Sequence, residues 1–166
     1  MFIVKKTLDA VELLLKCVVT ATLTAFTVLV AIQVVSRYAF HSPLPWSEQT
    51  ARYLFIWMIL LEMPVLFRNK GNMAFDLLLK RLPLGAQKFM GIVIALLIAA
   101  FAAVYFSAGY DLVVRSVGKT VAGLGIPRNT VYLAQPVGAG LLFIVALEQA
   151  ADMITALFRK EGGKEQ

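Results

Sequence analysis

RYAFHSPLPWSEQTARYLFIWMILLEMPVLFR, residues 37–68, begins as a polar turn and ends as a helix fit to cross a membrane. Pro43 and Pro45 stop the preceding helix, because proline lacks an N–H and pushes the residue before it out of the α region. Trp46 follows at the position an indole favours, the boundary between water and lipid. Glu48 and Arg52 are four residues apart, with the acid N-terminal to the base, the order that the helix dipole favours. From Tyr53 to Phe67 the only charge is Glu62. Trp46 to Phe67 is 22 residues, roughly 33 Å of helix and enough to span a bilayer.

Working outward, the 166 residues are 60% hydrophobic and only 16% charged, too apolar for a soluble domain of this size. Cys17–Ser36, Tyr53–Phe67, Phe89–Tyr110 and Asn129–Leu147 are free or nearly free of charge. Backbone groups in lipid must pair internally, so these windows are predicted to be helices. The expected fold is one all-α membrane domain over residues 1–166. Its four spans should cover about 15–36, 46–67, 87–110 and 129–155.

The net charge of +6 follows topology rather than nucleic-acid binding. Eleven of the 16 Lys and Arg fall before span one, between spans two and three, or after span four. Arg37, Arg52, Arg115, Lys119 and Arg128 make up the other side. The positive-inside rule therefore puts both termini in the cytoplasm. Cys17 is the only cysteine, which excludes an internal disulfide and a cysteine metal site. The first apolar run is longer than a signal-peptide core and three spans follow it, so it is expected to be retained.

Several stretches carry finer expectations. Residues 1–16 form a helical entry to span one, with Thr7 as N-cap and Lys5, Asp9, Glu12 and Lys16 on one face. Thr20, Thr24, Thr27 and Ala31 make a small-residue stripe expected to pack within the bundle. Residues 72–82 repeat Phe75, Leu78, Leu79 and Leu82 on one face and pair Asp76 with Lys80 on the other, as in a short helix along the interface. Gly91, Ala95, Ala99, Ala103 and Ser107 recur every fourth residue, a pattern for close helix approach. Gly118-Lys119-Thr120 only imitates a phosphate-binding loop, since Val113 stands where the pattern needs glycine. Glu148 and Asp152 share one face near the end of span four.

No catalytic set emerges. His41 is the only histidine, so this chain supplies neither a bis-histidine haem site nor a histidine metal cluster, and no cofactor is expected. Glu62 is the residue that needs explaining. A carboxylate at the centre of a span costs about 2.5–3.5 kcal/mol and is a functional candidate by default. The favoured reading is a carboxylate that reaches headgroups or meets a basic residue of a partner helix. The sharper one is a proton or cation site. Pro64 follows and leaves the Leu60 carbonyl without its usual donor.

Gln33-Val34-Val35-Ser36-Arg37-Tyr38-Ala39-Phe40, then Pro43, Pro45-Trp46-Ser47-Glu48-Gln49 and Ala51-Arg52-Tyr53-Leu54-Phe55-Ile56-Trp57, resembles the small permease subunit (DctQ type) of tripartite ATP-independent periplasmic (TRAP) transporters. The likeness continues through Asp76-Leu77-Leu78, Lys80-Arg81-Leu82-Pro83, Gly125-Ile126-Pro127 and Tyr132-Leu133-Ala134-Gln135-Pro136-Val137-Gly138. It departs at Glu62, where the family often has a small residue, and at 72–75, which lack an expected histidine.

The resemblance implies a bacterial inner-membrane protein, surrounded by phospholipid, that braces a large elevator-type permease subunit. It also implies help in docking a periplasmic substrate-binding protein for sodium-coupled uptake of an organic anion, such as a C4-dicarboxylate or sialic acid. The chain is then not an enzyme. Arg37, Tyr38, Trp46, Glu48, Arg52, Trp57, Glu62 and Asp76 are the candidate structural or partner-facing residues. Arg37, Glu48 and Arg52 are expected to set the angle between spans one and two.

Two other readings compete: an independent carrier or channel using Glu62, and a membrane anchor for a redox complex. The absence of an internal repeat weighs against the first and the single histidine against the second. Co-purification with a many-span membrane protein would separate all three. The topology is directly testable. In a Cys17-free background, cysteines replacing His41 and Arg128 should react with impermeant reagent from the periplasm, and labelling of position 41 from the cytoplasm alone would refute it.

Overall fold

Proline placement sets the helix boundaries. The computed structural model describes residues 2–41, 44–69, 84–121 and 124–161. The first helix, α1 (Phe2–Ala39), is continuous from the polar entry through span one. Then α2 (Pro45–Arg68) opens on a proline, where the missing N–H would be unpaired in any case. In its first turn the Ser47 backbone N–H and hydroxyl both donate to the Leu44 carbonyl, at 3.1 and 2.7 Å. The third helix, α3 (Leu84–Arg115), covers the expected third span.

The fourth span runs over Arg128–Thr155, close to the expected 129–155, with one local interruption at Leu133 between α4 (Arg128–Tyr132) and α5 (Ala134–Glu161). Pro136 is the cause: it has no N–H for the Tyr132 carbonyl, and the regular pattern resumes as Val137 N–H donates to Leu133 at 3.2 Å. Among the described residues the fold is thus all-α, with four helical stretches long and apolar enough to cross a membrane. Among the described residues no strand forms, only an isolated bridge between Thr120 and Pro127. The interfacial helix expected at 72–82, with Asp76, lies outside the described residues.

The long helices follow the order α1, α2, α5, α3: α1 packs on α2, α2 also on α5, and α5 also on α3. No part of the apolar window of α1 is buried, against 44% in the last span, so α1 is an edge helix. Its less exposed residues Leu8, Glu12, Leu15, Val19, Thr22 and Phe26 alternate spacings of four and three, the repeat of a coiled-coil seam. Leu15 joins Leu61 and Val65 of α2 in a buried cluster, with Val19, Trp57 and Leu141 packed around it. Farther along, the Phe26 and Phe55 rings stand 5.7 Å apart.

Two expectations about small residues change. Thr20, Thr24, Thr27 and Ala31 are exposed rather than packed within the bundle, because they lie off the seam: Thr20 and Thr27 are one residue, about 100°, past Val19 and Phe26, and Thr24 is two residues from both Thr22 and Phe26. The Thr24 and Thr27 hydroxyls donate to the Thr20 and Leu23 carbonyls of their own helix. On α3, Gly91, Ala95 and Ala99 are buried as expected, but Ala103 and Ser107 are exposed. A strict four-residue step drifts about 40° per repeat. The contact therefore shifts to Ala102, which is fully buried, and to Gly109, where a Cβ would lie 2.8 Å from Gln135 Cγ.

This shift gives a paired test. Ala102→Leu should overpack the α3–α5 contact and lower stability by about 1–3 kcal/mol. Ala103→Leu, on the exposed side, should change it by less than about 0.5 kcal/mol. Thermal unfolding of the purified protein in detergent would distinguish the two.

Candidate functional site: an arginine shared by three helices

Arg68 ends α2, where the last carbonyls of a helix lack donors and a cation is favoured. Its planar guanidinium offers N–H groups in several directions, and three carboxylates take them. Nη2 donates to Asp9 Oδ1 at 2.6 Å and Nη1 to Glu12 Oε2 at 2.6 Å, both on α1. Nε donates to Glu148 Oε2 on α5 at 3.2 Å. The other oxygen of Glu12 accepts from Asn69 Nδ2 at 2.9 Å and pairs with Lys16 Nζ at 2.6 Å. Gln149 of α5 closes the helix end by donating to the Phe67 carbonyl at 2.8 Å.

Burial decides what this arrangement contributes. The side chains of Arg68, Glu12 and Glu148 are only 14%, 15% and 12% exposed, whereas Asp9 remains 68% exposed. The Arg68 contacts to Glu12 and Glu148 are thus charge-assisted bonds held largely out of water, stronger than neutral ones. They connect α1, α2 and α5 directly above the Leu15–Leu61–Val65 cluster. With the guanidinium among the carboxylates, their arrangement is that of a mechanical joint rather than a metal cage. Among the described residues no group of histidine, cysteine and carboxylate side chains is arranged to hold a metal ion.

The residues singled out in the sequence are distributed differently. Glu48 and Arg52 approach to 3.6 Å, but their side chains are 67% and 59% exposed, the setting of a weak solvated pair. Among the described residues Arg37 forms no ion pair with either of them. Tyr38 is 74% exposed and Trp46 45%, both at the Pro45 end. Trp57 packs beside the central cluster. Glu62 is half-buried, and no hydrogen bond or ion pair joins it to another described residue.

The Arg68 joint was not anticipated, although its parts were visible. The sequence puts Asp9 and Glu12 on one helix face, Glu148 near the cytoplasmic end of the last span, and Arg68 at the end of span two. Three carboxylates and a helix-terminal arginine at one predicted membrane face were the available signal.

Arg68→Ala should leave Glu148 without its cation and Glu12 with only Lys16 and Asn69, and lower stability by about 2–3 kcal/mol. That is less than the ~3–5 kcal/mol of a fully buried pair, because solvent still reaches Asp9. Arg68→Lys should recover little, since one ammonium cannot match the forked geometry. Denaturant or thermal unfolding in detergent, with both variants side by side, measures this; a wild-type melting curve in Arg68→Ala would refute it.

Comparison with known proteins connects this architecture to a family. A 22% identical relative, the putative TRAP transporter small permease protein of Haemophilus influenzae, aligns over 84% of this chain and 86% of its own length. The isethionate TRAP transporter permease protein DctMQ of Oleidesulfovibrio alaskensis is 29% identical over 66% of this chain, but only 18% of that protein. The sialic acid TRAP transporter permease protein SiaT of Haemophilus influenzae is 35% identical over 48% of this chain and 13% of that protein. The chain thus spans less than a fifth of the length of these last two relatives. The family described as "Tripartite ATP-independent periplasmic transporters, DctQ component" matches residues 26–156, which take in the later part of the first apolar helical stretch and the other three. The chain belongs to the DctQ component family of TRAP transporters, and so is a transporter component and a multi-pass integral membrane protein rather than an enzyme.

Proposed function

We propose that this chain is the small subunit of an inner-membrane TRAP transporter that braces a large elevator-type permease subunit. The match to the DctQ component family over residues 26–156 carries this reading. The DctMQ alignment supports the partnership, because two thirds of this chain corresponds to under a fifth of a much longer permease. In such a chain a segment like this one is covalently joined to the rest of the membrane machinery. The open row of helices is compatible with that role, since α1 leaves its apolar surface available to a neighbour.

In this reading both termini are cytoplasmic and the Pro45 end faces the periplasm. There the exposed Arg37, Tyr38, Trp46, Glu48 and Arg52 add contact surface for a periplasmic substrate-binding protein. The substrate is an organic anion taken up with sodium. Relatives named for isethionate and sialic acid share only that chemistry, so selectivity lies outside this chain.

Glu62 faces the large subunit rather than an ion pathway. It lies at the margin of the buried face of α2, near exposed Ile59 and Leu66. A basic side chain from a neighbouring helix would lower the expense of its charge in the span.

Co-expression with the large subunit and uptake into proteoliposomes test both levels. The large subunit should co-purify with this chain, and uptake should require both; uptake by the large subunit alone would overturn the bracing role. Glu62→Gln should weaken co-purification while leaving the sodium-to-substrate ratio unchanged. A changed ratio would show that Glu62 belongs to the ion pathway.

A further inference from the structure

Among the described residues Pro64 is one of the two largest fully buried side chains, and it lies inside α2 rather than at a helix end. It has no N–H, so the Leu60 carbonyl lacks the donor that a regular helix would place four residues on. In lipid or a protein interior such an acceptor must find something else. What stands opposite is Gly138 of α5. A Cβ built on Gly138 would lie 2.5 Å from the Leu60 oxygen and 3.0 Å from its carbonyl carbon. The glycine Cα–H that occupies that direction is therefore aimed at the freed carbonyl, a weak Cα–H···O contact of the kind found where helices pack closely.

The same two helices meet again where Arg68 reaches Glu148 and Gln149 caps the Phe67 carbonyl. Leu60 to Arg68 and Gly138 to Glu148 advance in the same direction along parallel helices. The contact at Leu60 thus fixes how far α2 lies along α5, and so whether the guanidinium arrives at its carboxylates. Gly140 provides a contrast within the same helix, since a Cβ there would meet only the Phe106 ring at an ordinary 3.6 Å.

We propose that Pro64, the Leu60 carbonyl and Gly138 form one positioning unit: the proline releases the acceptor, the glycine receives it, and together they set the register that places Arg68. Gly138 is required as glycine because Pro64 is proline. Helix propensity alone says the opposite, since alanine is the better helix former at any interior position.

The test is a double-mutant cycle on the full chain purified in detergent, following the unfolded fraction at a fixed temperature. Gly138→Ala should raise that fraction about ten-fold or more, the scale of overpacking a tight contact. Gly140→Ala should leave it unchanged or lower it. Pro64→Ala restores an N–H at position 64, which draws the Leu60 carbonyl back into its own helix. Adding Gly138→Ala to Pro64→Ala should then have several-fold less effect than in the wild type. If Gly138→Ala is too unstable to accumulate, recovery of the protein by the added Pro64→Ala gives the same support. Equal effects of Gly138→Ala in both backgrounds, a harmless Gly138→Ala, equal harm from Gly140→Ala, or no recovery by the double variant would each overturn the proposal.

Discussion

A guanidinium has donors in several directions and no acceptor, so withdrawing it from water requires several oxygens at once. Arg68 obtains them from two helices besides its own. This requirement orders the end of the bundle: α1 must present Asp9 and Glu12 and α5 must present Glu148, or a charge is stranded. The cluster of Leu15, Leu61 and Val65 beneath can form by shape alone, but apolar packing tolerates sliding. A forked pair does not. Glu48 and Arg52 show the complementary case, where the same kinds of side chain remain in water and fix almost nothing.

The spans were legible because hydropathy and length are properties of single segments. Pro45 and the run from Tyr53 to Phe67 locate α2 without reference to any other part of the chain. The break at Leu133 was legible in principle, since Pro136 removes the donor for Tyr132, but a hydropathy window passes over it. The Arg68 joint depends on residues more than fifty positions apart, and nothing local encodes that pairing.

The small-residue stripes were misread for a geometric reason. A row of small side chains records a surface that permits close approach, not the surface that is used. On α1 the seam follows alternating steps of four and three through Leu15, Val19 and Thr22, so the threonines beside it face outward. On α3 the four-residue row follows the contact through Gly91, Ala95 and Ala99, then rotates away from it. Burial follows the turn of the helix, not the composition of the row.

That α1 is an edge helix also has a physical basis. In lipid, helices gain little by hiding apolar faces from their surroundings, so no general force closes a row into a ring. Association must come from particular contacts: a forked arginine, an aromatic pair, or backbones brought close by glycine and alanine. Such contacts hold α1 through the Arg68 carboxylates and the Phe26–Phe55 pair, but only along a single seam to α2, whereas α2, α5 and α3 pack in turn on one another. The polar end of that seam carries Asp9, Glu12 and Lys16, so Arg68 is the anchor of a helix whose remaining surface is free for a neighbour.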